Sequence, residues 1–346
     1  MENSIITVQE GIAVDQVRVV RLESDHLSVD ISPETGGRIT RLVHKGLGRD
    51  FLWRNPRATL ERVEPGTAYD PHFTGGLDDI LPCDAPEIIE GLPGPDHGEW
   101  WRLPLTYQIE GGALTLHGRL PIWGLDVQKR VTLRPDSAWV DLDYRIANLT
   151  GERRTFLWKL HAAAVIDTGD QIVCPAQTAS VADPQWSRWG AVAPFAWPKV
   201  AGRRADRVPV PDGTTDFLFL SELRTGRVGL RRPTNGCELA IAFDPAVFPY
   251  VCLFASYGGF DGHVTAILEP CTAMPLSVVA AARLGQCSVL APGAVLATRV
   301  SLYAGPLLSS QTWARADRAR RPGSGTARRR AAPSGAPPPG SRTTPT

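Results

Sequence analysis

Short runs in which hydrophobic and polar residues alternate repeat along the chain from about residue 18 to residue 305. In the clearest run, 138–147, the apolar Val140, Leu142 and Ile146 alternate with charged residues. Because successive side chains of a β-strand point to opposite faces, this period of two predicts strands with one buried face. Similar runs are HLSVDIS (26–32), GRITRLVH (37–44), GLDVQKRVTL (124–133), GCELAIAF (236–243) and AVLATRVSLY (294–303).

Turn pairs such as Gly111-Gly112 and Asn235-Gly236 lie between or beside these runs, as is typical of hairpins. No helix of ten or more residues is predicted. Many short strands without crossover helices favour antiparallel sheets that pack face to face. The sequence therefore predicts an all-β fold, a large antiparallel β-sandwich.

Two long segments, 54–98 and 183–213, interrupt the alternation. The first is rich in Pro, Gly and Asp, and the second holds Trp186, Trp189 and Trp197. Loops of this length are uncommon inside a compact domain and often carry function. We therefore expect the functional site to draw on these two segments.

Residues 315–346 differ in composition from the rest of the chain, since Arg, Pro, Ala, Gly, Ser and Thr dominate them. Such a segment has too few apolar side chains to form a core. It holds eight arginines and one aspartate, so the net charge of +1 for the whole chain leaves −6 on residues 1–314. A mildly acidic body lacks the basic surface of a nucleic-acid-binding protein. We predict one sandwich domain over 1–314, a disordered tail over 315–346 and no nucleic-acid partner.

The composition is that of an ordinary globular protein, with 43% hydrophobic and 21% charged residues among 346. No run approaches the about 20 apolar residues that span a bilayer, and residues 1–20 lack the pattern of a secretory signal. The six cysteines form no CxxC pair and no zinc-like spacing with histidine. We therefore expect a cytoplasmic protein with reduced thiols, no membrane contact and no metal.

Two residues are candidates for proton transfer. Glu269 follows an apolar run in HVTAILEPCTAMP and precedes Pro270, so it lies beside core, where burial raises the pKa of a carboxyl. His161 lies in RTFLWKLHAAAVI, a run apolar on both faces that predicts a strand covered on both sides. Its ordinary pKa near neutrality suits a proton donor or acceptor. The alternatives are a carboxylate that caps the following turn and a histidine that is part of the core.

A third candidate is the loop PGPDHGEWW, which contains His97 and Trp100. Glycine at position 98 lets the backbone approach a ligand closely, and tryptophan offers a flat apolar face of the kind that stacks on sugar rings. The alternative is a tight turn whose tryptophans fill the core. His97 and Glu99 form an H-x-E pair, but a metal site would need further ligands.

Five motifs, taken together and in this order, resemble the aldose 1-epimerase (galactose mutarotase-like) superfamily over about residues 36–303: GGRITRLVHKGLGRDFLW, FTGGLDDILPCD, PDHGEWW, LWKLHAAAVI and LEPCTAMP. The resemblance implies a sandwich whose concave sheet binds a small-molecule sugar, and it implies no cofactor. It implies that Glu269 takes the proton of the anomeric hydroxyl and that His161 protonates the ring oxygen. His97 would bind and orient the sugar. Further contacts to the sugar would come from Asp78, Asp79, Lys159 and Trp100.

The substrate and the reaction stay open at this point. Leu77, Asp78 and Asp79 stand near the place where galactose-specific members carry an arginine, so a phosphorylated, nucleotide-derived or otherwise modified sugar, or a glycoside, is an alternative. The activity predicted is that of an isomerase that interconverts anomers. The alternatives are a non-catalytic carbohydrate-binding protein and a carbohydrate lyase or hydrolase on the same scaffold. The sequence allows a homodimer without predicting one.

Overall fold

The computed structural model describes residues 5–309 and Trp313. About half of these residues lie in β-strands. The first thirteen strands are β1 (Thr7–Val14), β2 (Val17–Glu23), β3 (Leu27–Ser32), β4 (Arg38–His44), β5 (Arg49–Asp50), β6 (Leu77–Ile80), β7 (Glu87–Ile89), β8 (Leu92–Gly94), β9 (Thr106–Glu110), β10 (Ala113–Arg119), β11 (Leu125–Leu133), β12 (Trp139–Asn148) and β13 (Arg154–Phe156).

The remaining strands are β14 (Lys159–Ala164), β15 (Gln171–Val173), β16 (Thr178–Val181), β17 (Phe195–Ala196), β18 (Lys199–Val200), β19 (Arg203–Arg204), β20 (Thr214–Ser221), β21 (Arg227–Arg232), β22 (Cys237–Ala242), β23 (Tyr250–Tyr257), β24 (Val264–Cys271), β25 (Ser288–Leu290) and β26 (Val295–Pro306). Within the described part of the chain, the helices are α1 (Val278–Arg283) and six single 3-10 turns at Pro33–Thr35, Lys45–Leu47, Asp70–His72, Trp100–Arg102, Pro184–Trp186 and Pro233–Asn235.

Two large antiparallel sheets contain most of the strands. The larger sheet has twelve strands in the order β1-β2-β3-β4-β6-β14-β24-β23-β20-β16-β17, with β5 paired to β4. The smaller sheet has eight strands in the order β15-β21-β22-β26-β12-β11-β10-β9. This architecture confirms the predicted all-β sandwich.

The alternation in the sequence explains which faces of the strands are buried. Along β11 every second side chain is buried and the others are partly exposed. On its neighbour β12, Val140, Leu142, Tyr144 and Ile146 are buried. By contrast, all six residues of β14 are buried, as the apolar run around His161 predicted, so this strand is covered on both faces.

Adjacent aspartates on β6 identify the two faces of the larger sheet. Asp79 points toward the smaller sheet, where its Oδ2 accepts from Lys129 Nζ on β11 at 2.8 Å. Asp78 points the opposite way and bonds to Tyr69 in the long segment 54–98. We call the face of the larger sheet that carries Asp79 the inner face, and the face that carries Asp78 the cavity face.

The predicted domain boundary at residue 314 and the predicted disorder of 315–346 both lie outside the described residues. Residues 5–309 belong to one unit. Within the described range, no helix is long and apolar enough to cross a membrane.

Candidate active site

A cavity of about 190 Å³ opens on the cavity face of the larger sheet. Its floor comes from β14, β24, β23 and β20 at the middle of that sheet. The long segment 54–98 covers one side, and Trp186 from the second long segment lies on another. Both long segments that interrupt the alternation in the sequence therefore contribute to the wall of this cavity.

Strand pairing brings His161 and Glu269 together. β14 pairs with β24 so that Lys159 lies opposite Cys271 and Ala162 lies opposite Leu268. The register between these pairs is unbroken, which places His161 across from Glu269. Directly opposed residues of an antiparallel pair point to the same face, and both side chains line the cavity.

Lys159 lies between two carboxylates on the cavity floor. Its Nζ is 2.6 Å from Glu269 Oε2 and 2.5 Å from Asp84 Oδ1. Burial lowers the pKa of Lys159, but the two carboxylates outweigh burial and raise it well above its ordinary value. Burial also works against ionisation of Asp84, and Lys159 overcomes it, so that the pKa of Asp84 is lowered. Lys159 and Asp84 are therefore a fixed ion pair.

Glu269 is the group of this trio that titrates near neutrality. Its side chain is 1% exposed, and burial raises its pKa to about 7 despite the opposing effect of Lys159. Lys159 already neutralises Asp84, so it stabilises the second carboxylate only in part. Glu269 can therefore both accept and release a proton at neutral pH.

A series of hydrogen bonds runs from His161 through Tyr69, which also lines the cavity, to Asp78 and Arg38. Tyr69 Oη donates to Asp78 Oδ2 at 2.7 Å and lies 3.1 Å from His161 Nδ1. Asp78 Oδ1 also accepts from Arg38 Nε, which is buried with it. Burial and then Asp78 raise the pKa of Tyr69 well above its ordinary value, so the phenol keeps its proton.

These hydrogen bonds determine which ring nitrogen of His161 carries the proton. The one proton of the Tyr69 hydroxyl goes to Asp78, so the Tyr69 oxygen accepts from the Nδ1–H of His161. Burial, and then the charges of Lys159, His97 and Arg38, lower the pKa of His161 well below its ordinary value. His161 is therefore neutral at rest, with its proton on Nδ1 and Nε2 free of a proton. Of the pair formed by His161 and Glu269, it is therefore Glu269 that holds the exchangeable proton of the resting site below about pH 7.

His97 also reaches the cavity. Its ring stacks on Tyr69 with 4.1 Å between centroids, and its Nδ1 is 2.9 Å from Asp96 Oδ1. The backbone of His97 has a φ of +51°, which is uncommon for a residue with a side chain. Stacking and the contact with Asp96 together fix the orientation of this ring.

The structure brings five of the seven predicted site residues to one place and separates two. Glu269, His161, His97 and Lys159 line the cavity, and Asp78 lies just behind His161.

Asp79 and Trp100 lie on the inner face, away from the cavity, so the expectation that they contact substrate is corrected. Asp79 belongs to what we call the interior cluster, with Lys129, Tyr144 and Trp158. Trp100 packs parallel to Trp158, with 6.3 Å between ring centroids, and its Nε1 donates to Gly36 O. This is the alternative in which the tryptophan fills the core.

Sequence reasoning missed Tyr69, Asp84 and Arg38. Tyr69 and Asp84 lie in the predicted functional segment 54–98, so the segment was identified but not the residues. Arg38 lies in the first motif, GGRITRLVHKGLGRDFLW. Among residues 5–309 and Trp313, no group of three or more His, Cys, Asp or Glu side chains is arranged to hold a metal ion.

Several solved structures share this fold. A proposed aldose 1-epimerase from Klebsiella pneumoniae superposes with a TM-score of 0.69 at 12% identity, over 92% of this chain and 88% of that one. A galactose mutarotase-like protein from Clostridium acetobutylicum gives 0.63 at 12% identity, over 88% and 99%. One from Lactobacillus casei gives 0.59 at 15% identity, over 83% and 99%.

At identities this low, the structural similarity shows a shared fold and nothing finer. The resemblance to galactose mutarotase-like proteins predicted from the five motifs is therefore confirmed at the level of the fold. A scan against models of protein families finds no match.

Proposed function

We propose that the protein is an isomerase that interconverts the anomers of an aldose without a cofactor. The observation that carries the proposal is the pair formed by His161 and Glu269, which face one cavity and whose pKa values are shifted in opposite directions. Neighbouring groups of one cavity whose pKa values are both shifted strongly by their environment are typical of acid and base partners. The shared fold with mutarotase-like proteins supports the same activity.

In the proposed reaction the two groups act on opposite ends of one bond. Glu269 takes the proton of the anomeric hydroxyl, and the ring oxygen receives a proton from His161 Nε2. The bond between the anomeric carbon and the ring oxygen breaks, and the anomeric carbon becomes an aldehyde. After the aldehyde rotates, the ring oxygen attacks its other face, and both protons return to the groups that they left.

The cycle needs one exchangeable proton on the pair. With the proton on His161, the pair can open the ring, and with the proton on Glu269 it can close the ring. The resting site has the second distribution, and the two distributions are microstates of the same singly protonated pair. A pair without this proton has no acid to offer to the ring oxygen.

The surrounding residues orient the pair. Lys159 holds Glu269 Oε2, which leaves Oε1 for the anomeric hydroxyl. Tyr69 holds Nδ1 of His161, which leaves Nε2 for the ring oxygen. His97 and Asp84 line the same cavity and are the proposed partners of other sugar hydroxyls.

Anomer exchange measured by NMR saturation transfer over a panel of aldoses tests the proposal. We expect the wild type to accelerate exchange of at least one sugar, and we expect Glu269→Gln and His161→Ala each to lose about 10²–10⁴-fold in kcat/KM. Asp79→Asn, compared at equal folded fraction, is the matched control, since Asp79 is a buried carboxylate of the same sheet outside the cavity. Full activity of Glu269→Gln would contradict the mechanism.

Two other results would replace the proposal. Saturable sugar binding without faster exchange would identify a carbohydrate-binding protein. An unsaturated product would identify a lyase.

A further inference from the structure

The cavity has two halves of different chemistry. Around Glu269 and His161 the wall is polar. The half farther along the strands, which we call the aromatic half, is formed by Trp186, Phe217, Phe254, Phe260 and Ile267.

Strand register places the aromatic half next to the proposed proton-transfer pair. Phe254 on β23 lies opposite Ile267 on β24, and Phe217 on β20 lies opposite Phe254. Ile267 is two residues from Glu269 on the same strand, so this row lies about 7 Å from the carboxylate along the sheet. A pyranose whose anomeric carbon meets Glu269 and whose ring lies along β24 directs C4, the opposite end of the ring, toward the aromatic half.

The aromatic rings form a continuous wall. Ring centroids are 5.3 Å apart for Phe217 and Phe254 and 5.5 Å apart for Phe254 and Phe260. Trp186 and Phe260 are also 5.5 Å apart. All three pairs meet edge to face, an arrangement that stabilises aromatic clusters.

The hydroxyl groups in this half already bond to the backbone. Ser256 Oγ donates to His263 O at 2.6 Å and accepts from Phe260 N at 3.1 Å. Thr265 Oγ1 donates to Ala164 O at 2.9 Å. His263 has its Nδ1 3.0 Å from Nη2 of Arg57. Nε2 of His263 and the acceptor capacity of Thr265 Oγ1 are the side-chain groups left to a ligand here, so a sugar hydroxyl that enters this half exchanges water mainly for aromatic rings.

The charges of the cavity disfavour anionic sugars. Lys159 is the only lysine or arginine among the described residues that line it, and Asp84 and Glu269 already flank its ammonium group. Asp70 adds a further carboxylate to the wall. A phosphate group would therefore meet carboxylates and no free cation.

We propose that the substrate is an uncharged deoxy aldose, which carries hydrogen in place of the hydroxyl group at C4 or C6, toward the end of the ring remote from the anomeric carbon. This inference rests on the proposed function, because that function orients the ring. The apolar end of the sugar packs on Phe217, Phe254 and Phe260, and no hydroxyl loses its hydrogen bonds. The loss of one such bond is worth about tenfold in kcat/KM.

Matched pairs of sugars test the inference. Anomer exchange is measured with the full-length protein for glucose, galactose and mannose, for their 6-deoxy counterparts, for 4-deoxyglucose and for glucose 6-phosphate. We expect at least one deoxy sugar to exceed its parent by about tenfold or more in kcat/KM, and we expect glucose 6-phosphate to be the poorest substrate. Equal or lower values for every deoxy sugar, or preference for the phosphate, would overturn the inference.

A pair of variants ties the preference to the aromatic half. Phe260→Ala opens the wall to water, so the ratio of deoxy to parent kcat/KM should fall toward one. Phe195→Ala is the control, since Phe195 is also partly exposed and lies on the edge strand β17 outside the cavity wall. An unchanged ratio in Phe260→Ala, with wild-type melting behaviour, would contradict the role of the wall.

The failure of this inference is distinct from the failure of the proposed function. If no sugar exchanges faster, the proposed function is wrong, and dissociation constants for the same pairs from ligand-observed NMR decide the inference. Tighter binding of a deoxy sugar than of its parent would support the aromatic half as its site. Equal binding, or none, would overturn the inference as well.

Discussion

Two buried lysines of the molecule have carboxylate partners but different surroundings. Lys129 in the interior cluster donates to Asp79 and to Gly37 O, and Asp79 also accepts from Trp158 Nε1 at 3.2 Å and Tyr144 Oη at 3.4 Å. Lys159 lies between Asp84 and Glu269 and borders the cavity. The groups of the first network bond only to one another and to the backbone, whereas the second network lines a cavity that a ligand can fill.

The difference separates a structural role from a functional one. In the interior cluster each oxygen of Asp79 has a donor from the protein, so this buried carboxylate is fully hydrogen-bonded between the sheets. On the cavity face, one ammonium serves two carboxylates, and Glu269 is left with a pKa of about 7. Incomplete compensation of a buried charge costs stability and gives the protein a group that exchanges protons at neutral pH.

The two lysines give the largest expected effect on stability. We expect Lys159→Met and Lys129→Met each to lower the free energy of unfolding by about 3–5 kcal/mol at pH 8, because each leaves a buried carboxylate without its cation. Denaturant unfolding measures this loss.

The activity of the folded fraction separates the two variants. Lys129→Met should keep the kcat of the wild type, and Lys159→Met should lose it, because Glu269 then stays protonated. Loss of activity in Lys129→Met at full folding would remove the distinction between the networks.

Glu269→Gln should make the protein more stable at alkaline pH. Folding raises the pKa of Glu269 from 4.5 to about 7, so between these values the folded state binds more protons and stability falls as pH rises. Above both values the cost is about 3 kcal/mol. The variant should therefore melt above the wild type at pH 8, with a difference that shrinks toward pH 4.5. A lower melting temperature at pH 8 would show that Lys159 compensates Glu269 fully.

Tyr69→Phe gives a smaller effect, because Tyr69 acts through His161. Without the hydroxyl, Nδ1 of His161 loses the acceptor that fixes its tautomer. We expect kcat to fall about 10–100-fold with little change in KM. His97→Phe is a useful contrast, because a sugar-binding role predicts that KM changes more than kcat. A Tyr69→Phe enzyme that changes KM alone would place Tyr69 among the sugar contacts instead.

The sequence predicts the strands better than the site. Alternation in 138–147 identifies the strand β12, and the doubly apolar run around His161 identifies the buried strand β14. These patterns are local, since they reflect which face of one strand is buried. Tyr69 and Asp84 lie in a segment without period, and only the tertiary fold brings them to His161 and Lys159.

Asp78 and Asp79 show which further prediction about the site the sequence permits. Adjacent residues of a strand point to opposite faces, so at most one of the two could contact a ligand on the cavity face. Local pattern does not decide which one, because residues 75–84 are buried throughout. The partners decide, with Lys129 on one side and Tyr69 on the other.

The pH dependence of kcat/KM tests the central claim most directly, which is that Glu269 and His161 work as a pair with one shared proton. kcat/KM reports the free enzyme, and the free pair loses this proton as pH rises through the pKa of Glu269, about 7. We expect kcat/KM to be level near pH 6 and to fall about tenfold per pH unit well above pH 7. A kcat/KM that instead rises through pH 7 and stays high at pH 9 would contradict the claim, because Glu269 would then act as a base with no proton on His161.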